Sequence, residues 1–227
     1  PKKSSLTDET NRSLRNLLTA SVTFDKTYGN HGLKVMLGYQ QDDFRNDGHS
    51  GYRENFAFPD YPVLSAGGED NQKAYGWASE WALQSLFGRI NYDYKERYLF
   101  EANMRYDGSS KFADGQKWGI FPSFSAGWRI SEEAFWEPLK NVVDNFKIRG
   151  SWGQLGNQNI GDNYPFSSDV DLNLKYVFNK SVTSGAGITS LANSLITWET
   201  TTVTDLGLDL TLLGKLNFTA DYFYKVT

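Results

Sequence analysis

Cysteine is missing from all 227 residues. Its absence excludes disulfides, Cys-ligated zinc, iron–sulfur clusters and thiol catalysis. Histidine is nearly missing too: His31 and His49 are the only two, which argues against a His-rich metal site. No stretch approaches the ~18 apolar residues of a membrane helix. Basic residues are not in excess: 23 Lys and Arg stand against 27 Asp and Glu, for a net charge of −4. That balance argues against a nucleic-acid footprint, which would be a basic patch. No acid/base pair or nucleophile constellation appears, so an enzyme is not expected, and no cofactor or metal is implied. Mean hydropathy is −0.53. A membrane barrel survives all these absences, because its strands alternate and average out as polar.

Aromatic residues are abundant, at 15% with seven Trp. Aromatics favour strands, and Tyr and Trp favour membrane–water interfaces. Between Leu86 and Asp107 the chain alternates cleanly. Leu86, Gly88, Ile90, Tyr92 and Tyr94 carry no charge, whereas Phe87, Arg89, Asn91 and Asp93 form the other set. After Lys95-Glu96-Arg97 the pattern resumes. Tyr98, Phe100, Ala102, Met104 and Tyr106 are uncharged; Glu101, Asn103, Arg105 and Asp107 alternate with them. This is a β-hairpin with one uncharged and one charged face.

The same pattern predicts about eight strands. Leu18–Asp25 and Leu33–Tyr39 flank a turn at Gly29-Asn30. Phe124, Ala126, Trp128 and Ile130 form one face of another strand, and Phe146, Ile148, Gly150 and Trp152 of the next. Ser131-Glu132-Glu133 reads as the N-cap of a short helix ending near Pro138. Leu206–Leu212 and Leu216–Lys225 form the last hairpin, around Leu213-Gly214-Lys215. The spans from about 41 to 79 and from about 156 to 197 lose alternation and read as long loops. None of these strands places Asp, Glu, Lys or Arg on its apolar face, and short turns alternate with long connections. Lipid contact enforces the first property, since a mid-bilayer charge costs roughly 2–4 kcal/mol; barrels with long extracellular loops show the second. The alternatives are a passive porin-like or structural barrel, and a soluble surface sugar-binding β-sandwich.

Four ordered motifs carry a resemblance. They are Arg97–Phe112 (RYLFEANMRYDGSSKF), Trp118–Ile130 (WGIFPSFSAGWRI), Lys147–Asn157 (KIRGSWGQLGN), and Trp198-Glu199-Thr200 followed by Asp205-Leu206-Gly207-Leu208-Asp209. Together they resemble the SusC/RagA-type TonB-linked outer-membrane transporters. The resemblance implies an all-β fold: residues 1–227 as a sector, about eight strands, of a large plugged barrel of about 22 strands. The plug and remaining strands lie elsewhere, and the open start at Pro1-Lys2-Lys3 is expected to make this a piece of a longer chain. It also implies residence in the outer membrane of a Gram-negative bacterium, among outer-membrane lipid. The implied partners are a SusD-like surface lipoprotein and the TonB energy-coupling system, and the implied cargo is glycan or peptide.

Candidate sites follow from both readings. Arg89, Glu101, Arg105, Lys147 and Arg149 fall on the charged set and would line the lumen, either along a substrate path or as ion pairs in the wall. Tyr52, Phe56, Phe58, Tyr61, Trp77 and Trp81 lie in or beside the first long loop. They are candidate substrate or partner contacts, because sugars stack on aromatic faces, or else they pack the loop. Asp107-Gly108-Ser109-Ser110 is better read as a strand-end turn than as a catalytic serine. Gly153-Gln154-Leu155-Gly156 lacks the Gly-Lys-Ser/Thr of a phosphate loop. Asp42, Asp43 and Asp47 lack calcium-loop spacing.

Overall fold

The computed structural model describes residues 4–58, 60, 61 and 63–227; the start of the chain and two prolines expected in the first loop, at 59 and 62, lie outside it. The described chain is ten strands and three short 3₁₀ segments. The strands are β1 (Ser5–Tyr28), β2 (His31–Glu54), β3 (Gly68–Tyr94), β4 (Tyr98–Ser109), β5 (Trp118–Arg129), β6 (Val143–Asn157), β7 (Val170–Phe178), β8 (Ser181–Ile188), β9 (Glu199–Leu212) and β10 (Leu216–Val226). Eight form one sheet in the order β1-β2-β3-β4-β5-β6-β9-β10; β7 and β8 pair separately. The hairpin turns at Lys95-Glu96, Asn179-Lys180 and Leu213-Gly214 place both central residues at positive φ. That is the primed geometry whose twist matches the flanking strands.

The chain divides into two packing units. One holds the chain up to Leu17 with Asp42–Ala82, and the other holds Leu18–Gln41 and Leu83–Thr227. In the second unit, register settles the faces, because directly paired residues share one. Tyr92 pairs with Phe100, Phe100 with Ala126, Ala126 with Gly150, Gly150 with Leu206 and Leu206 with Tyr222. The uncharged sets therefore join into one band across six strands. It is not buried between sheets: Phe100 is 50% exposed, Phe124 54% and Leu206 61%. Stacked rings mark its two ends. Tyr94, Tyr98 and Trp128 stand at 6.2–6.4 Å spacings at one end, and Tyr106 lies 4.6 Å from Trp118 at the other. Eight residues separate Tyr98 from Tyr106, about 27 Å of strand. Tilted as in a barrel, by roughly 40°, that is about 21 Å, near the height of a lipid-facing band.

The first unit differs. There Arg15 and Asp42 pair on one face, with Phe44 and Trp81 stacked beside them at 5.7 Å. Arg12 binds Asp47 at 3.2 Å and Arg45 binds Glu80 at 3.4 Å on the other. Charge on both faces is what water on both faces permits.

Several expectations are corrected. The span 41–79 is mostly strand: β2 continues to Glu54 and β3 starts at Gly68, with a 3₁₀ segment at Leu64–Ala66 between them. β1 begins at Ser5, not near Leu18. The span 156–197 contains the β7–β8 hairpin. All three were missed because alternation records unlike media on the two faces, whereas the backbone ladder needs only a partner strand. The predicted helix is two 3₁₀ segments, Ile130–Glu132 and Ala134–Leu139. Ser131 lies inside the first rather than capping a helix, and its buried Oγ has no hydrogen-bond partner among the described residues. Ile130, expected on the strand face, is buried in that segment.

Candidate functional site

The charged face of the second unit is a network of paired polar groups. Arg89, Glu101, Arg105, Lys147 and Arg149 all fall on it by register. Arg89 Nε donates to Asn103 Oδ1 at 2.7 Å, and Asn103 Nδ2 donates to Glu101 at 2.7 Å. Asn91 donates to the other Glu101 oxygen. Arg105 grips Asp107 through Nε and Nη2 at 3.2 and 3.1 Å, donates to buried Ser85 Oγ at 3.0 Å, and lies over the Phe87 ring. Arg149 is shared by three carboxylates: Asp205 and Asp209 at 3.3 Å each, and Asp221 at 2.5 Å. One guanidinium against three carboxylates leaves net negative charge there; Lys147, in register with Asp209, offsets part of it.

Between these two charged groups runs a low floor. Ser123, Ser125 and Gly127 of β5 lie beside Ser151 and Gly153 of β6, where two adjoining hollows of about 480 and 410 Å³ share Glu101, Ser125 and Ser151. Small side chains flanked by paired ions leave this strip of the charged face open. No lining group is a nucleophile held by a base.

At the far end of β4 and β5 two buried phenylalanines, Phe112 and Phe121, meet one tryptophan. Phe112 is fully buried, and it and Phe121 each lie 5.2 Å from Trp198. Trp198 Nε1 donates to the Lys117 carbonyl at 2.9 Å, pinning the start of β9 to the loop between β4 and β5. Gly156 is required here. A Cβ on it would stand 2.5 Å from both Cε atoms of Phe121 and closer still to Cζ. Phe112, Phe121, Gly156 and Trp198 come one from each of the four sequence motifs. The motifs thus converge on one cluster, with the Ser109 amide bonded to the Lys117 carbonyl beneath it. Asp107 and Ser109 are buried in this corner, consistent with the strand-end turn.

The loop aromatics separate into groups, all in the first unit. Phe58 and Tyr61 are 75% and 78% exposed. Phe56 is buried against Gly67, so it packs the loop instead of presenting a surface. Tyr52 donates to Glu54 at 3.1 Å with Lys73 over its ring. Trp77 lies against Gly48, and Trp81 is engaged by Phe44 and by Arg15 at 5.9 Å. Asp42 and Asp47 pair with different arginines on opposite faces, and among the described residues no acidic or histidine group could hold a metal. Beyond the strand ends, Glu133 accepts hydrogen bonds from Tyr98 Oη at 2.7 Å, and from Trp128 Nε1 and Arg97 Nη1 at 3.2 Å. The tyrosine hydroxyl is the largest of these influences, and together they hold the carboxyl below the usual glutamate range. Sequence reading did not single out Glu133 for this role, because its partners lie 5 to 36 residues away.

Comparison with known proteins gives one answer. The family model "TonB dependent receptor-like, beta-barrel" matches residues 3–227. The TonB-dependent receptor P3 of Formosa agariphila is 31% identical over 216 residues, 93% of this chain and 21% of that protein. The TonB-dependent receptor SusC of Bacteroides thetaiotaomicron is 32% identical over 210 residues, 91% of this chain and 20% of SusC. The chain thus spans about a fifth of the length of these relatives. The structure of the RagAB peptide transporter superposes with a TM-score of 0.87 at 20% identity, covering 97% of this chain and 24% of that one.

Proposed function

Because the chain belongs to the TonB-dependent receptor-like β-barrel family, its sheet being a sector of a large antiparallel transmembrane barrel, we propose that it forms part of the wall of an outer-membrane importer in a Gram-negative bacterium. The importer takes up glycan oligosaccharides or peptides with energy relayed by TonB. A SusD-like surface lipoprotein delivers the cargo. The single observation that carries the reading is the division of one register into a continuous uncharged band and an ion-paired opposite face. A wall between lipid and a hydrated lumen has that division; a soluble sandwich buries its apolar band. The charged face is then the lumen wall, and the Ser/Gly floor between Arg105 and Arg149 is the part of it open to a passing solute.

Orientation follows from parity. With the turns at Gly29-Asn30, Lys95-Glu96 and Leu213-Gly214 in the periplasm, the spans 41–79 and 156–197 stand outside the cell, where cargo arrives. Exposed Phe58 and Tyr61 are the aromatic contacts for partner or cargo, supported by their low entropy cost for the area they bury.

The test is uptake by the complete gene product in its own host. Deleting the gene should abolish growth on one glycan or peptide class, and loss of TonB should do the same. Uptake that persists without TonB would mean a passive pore. Phe58→Ala/Tyr61→Ala should weaken capture of the lipoprotein or cargo with the barrel still assembled; unchanged capture and uptake would remove those two residues from the site.

A further inference from the structure

The uncharged band is not evenly covered. Ala126 of β5 pairs with Gly150 of β6, and these two small residues floor a pit of about 510 Å³ walled by Phe100, Phe124, Trp152 and Leu206. Phe124 and Trp152 stack at 6.2 Å along one side. The depression is shallow and open on the sheet face, which suits a chain laid along it rather than an enclosed ligand. The lining is almost entirely carbon: Tyr92 and Thr204 bring the two hydroxyls at its edge, and the Ala126–Gly150 floor carries neither charge nor hydroxyl. Sugar or peptide cargo would lose its hydrogen bonds there.

We propose that this pit seats one acyl chain of a phospholipid from the leaflet on the short-turn side. β4, β5, β6 and β9 are each paired along both edges, so no further strand of the barrel can cover the pit. Its medium is the bilayer. Depth selects the leaflet. The Phe100–Ala126 row lies two residues, about 7 Å, inside the Tyr98–Trp128 row, whose hydroxyl and indole N–H reach Glu133 at the interface. Lys95, in the turn of the same hairpin, carries its ammonium 5.5 Å over the outward Tyr94 ring. It stands about 17 Å of strand from Phe100 at most, placed for the phosphate of a lipid whose tail enters the pit. An acyl chain is the occupant that gains by entering, since an unfilled pit between large rings forfeits their dispersion contacts. The inference rests on the barrel fold and not on the import reading, so either can fail alone.

The test reconstitutes the complete barrel in vesicles of phosphatidylethanolamine and phosphatidylglycerol, extracts it in mild detergent and weighs it by native mass spectrometry. Wild type should retain one phospholipid beyond background. Ala126→Leu and Gly150→Leu, which fill the pit, should cut that adduct at least threefold. Ala220→Leu, on the same face outside the pit, should leave it intact. An adduct equal in all four proteins would overturn the proposal, as would pit variants that release a co-purifying protein in place of lipid. If neither pit variant assembles, phospholipid brominated on its acyl chains decides. Quenching of tryptophan fluorescence should persist after transfer to detergent and drop in Trp152→Phe; quenching that vanishes on transfer overturns the proposal.

Discussion

Gly156→Ala is the sharpest perturbation of the cluster that joins the four motifs. Gly156 accepts no side chain because the Phe121 ring occupies the space: the added methyl would lie 2.5 Å from both Cε atoms. Carbon atoms attract at about 3.5–4.0 Å, so the ring must retreat by more than about 1 Å. It has little room, being 7% exposed and packed 5.2 Å from Trp198 in an edge-on arrangement. Overpacking of this kind costs about 1–3 kcal/mol. The strand gains back about 0.5–1 kcal/mol, because alanine surrenders less backbone freedom than glycine. The net expected loss is about 1–2 kcal/mol. Phe121→Leu removes the obstructing ring and also an aromatic pair worth about 0.5–1.5 kcal/mol. The double variant Gly156→Ala/Phe121→Leu should therefore be less damaged than the sum of the singles, by about 1 kcal/mol. Urea unfolding of the complete barrel in detergent, followed by gel mobility of folded and unfolded forms, measures all four corners of the cycle. If Gly156→Ala matched wild type, or if the two losses simply added, the Phe121 contact would not be what reserves this position for glycine.

Other expectations follow from the faces, the turns and the interface. Ala102→Arg and Leu208→Arg, on the uncharged band, should each destabilise the inserted barrel by roughly 2–4 kcal/mol near the midplane, and Asn103→Arg on the opposite face by far less; equal losses in the same unfolding assay would contradict the assigned faces. Replacing Lys95-Glu96, both at positive φ, by Asn-Gly should stabilise the hairpin by about 1 kcal/mol, read as a raised midpoint in urea. The Glu133 carboxyl has its folded-state pKa held below the unfolded one. Its contribution is therefore full above the usual glutamate pKa and is lost as pH falls through the lowered folded value. Glu133→Gln should flatten that acid limb of the stability profile, and an unchanged limb would show that the carboxylate does not matter.

What the sequence determined by itself is the barrel wall. Alternation over Leu86–Asp107 and Leu206–Lys225 located four strands and both faces, because a residue period of two is the direct record of lipid on one side and water on the other. The residues named for the charged face from that period, Arg89 to Arg149, all lie on it by register. The short turns were legible too, although Lys95 and Glu96 reach the primed geometry without glycine. Tertiary structure decided three things. It extended β2 to Glu54 and started β3 at Gly68, where charge on both faces erases the period and only a neighbouring strand supplies the ladder. It buried Phe56 and left Phe58 and Tyr61 exposed, a distinction that aromatic content cannot make. And it brought Trp198 to the Lys117 carbonyl across 81 residues, closing the cluster around Gly156. Contacts at that separation depend on how strands pair, and pairing is settled by the whole sheet at once.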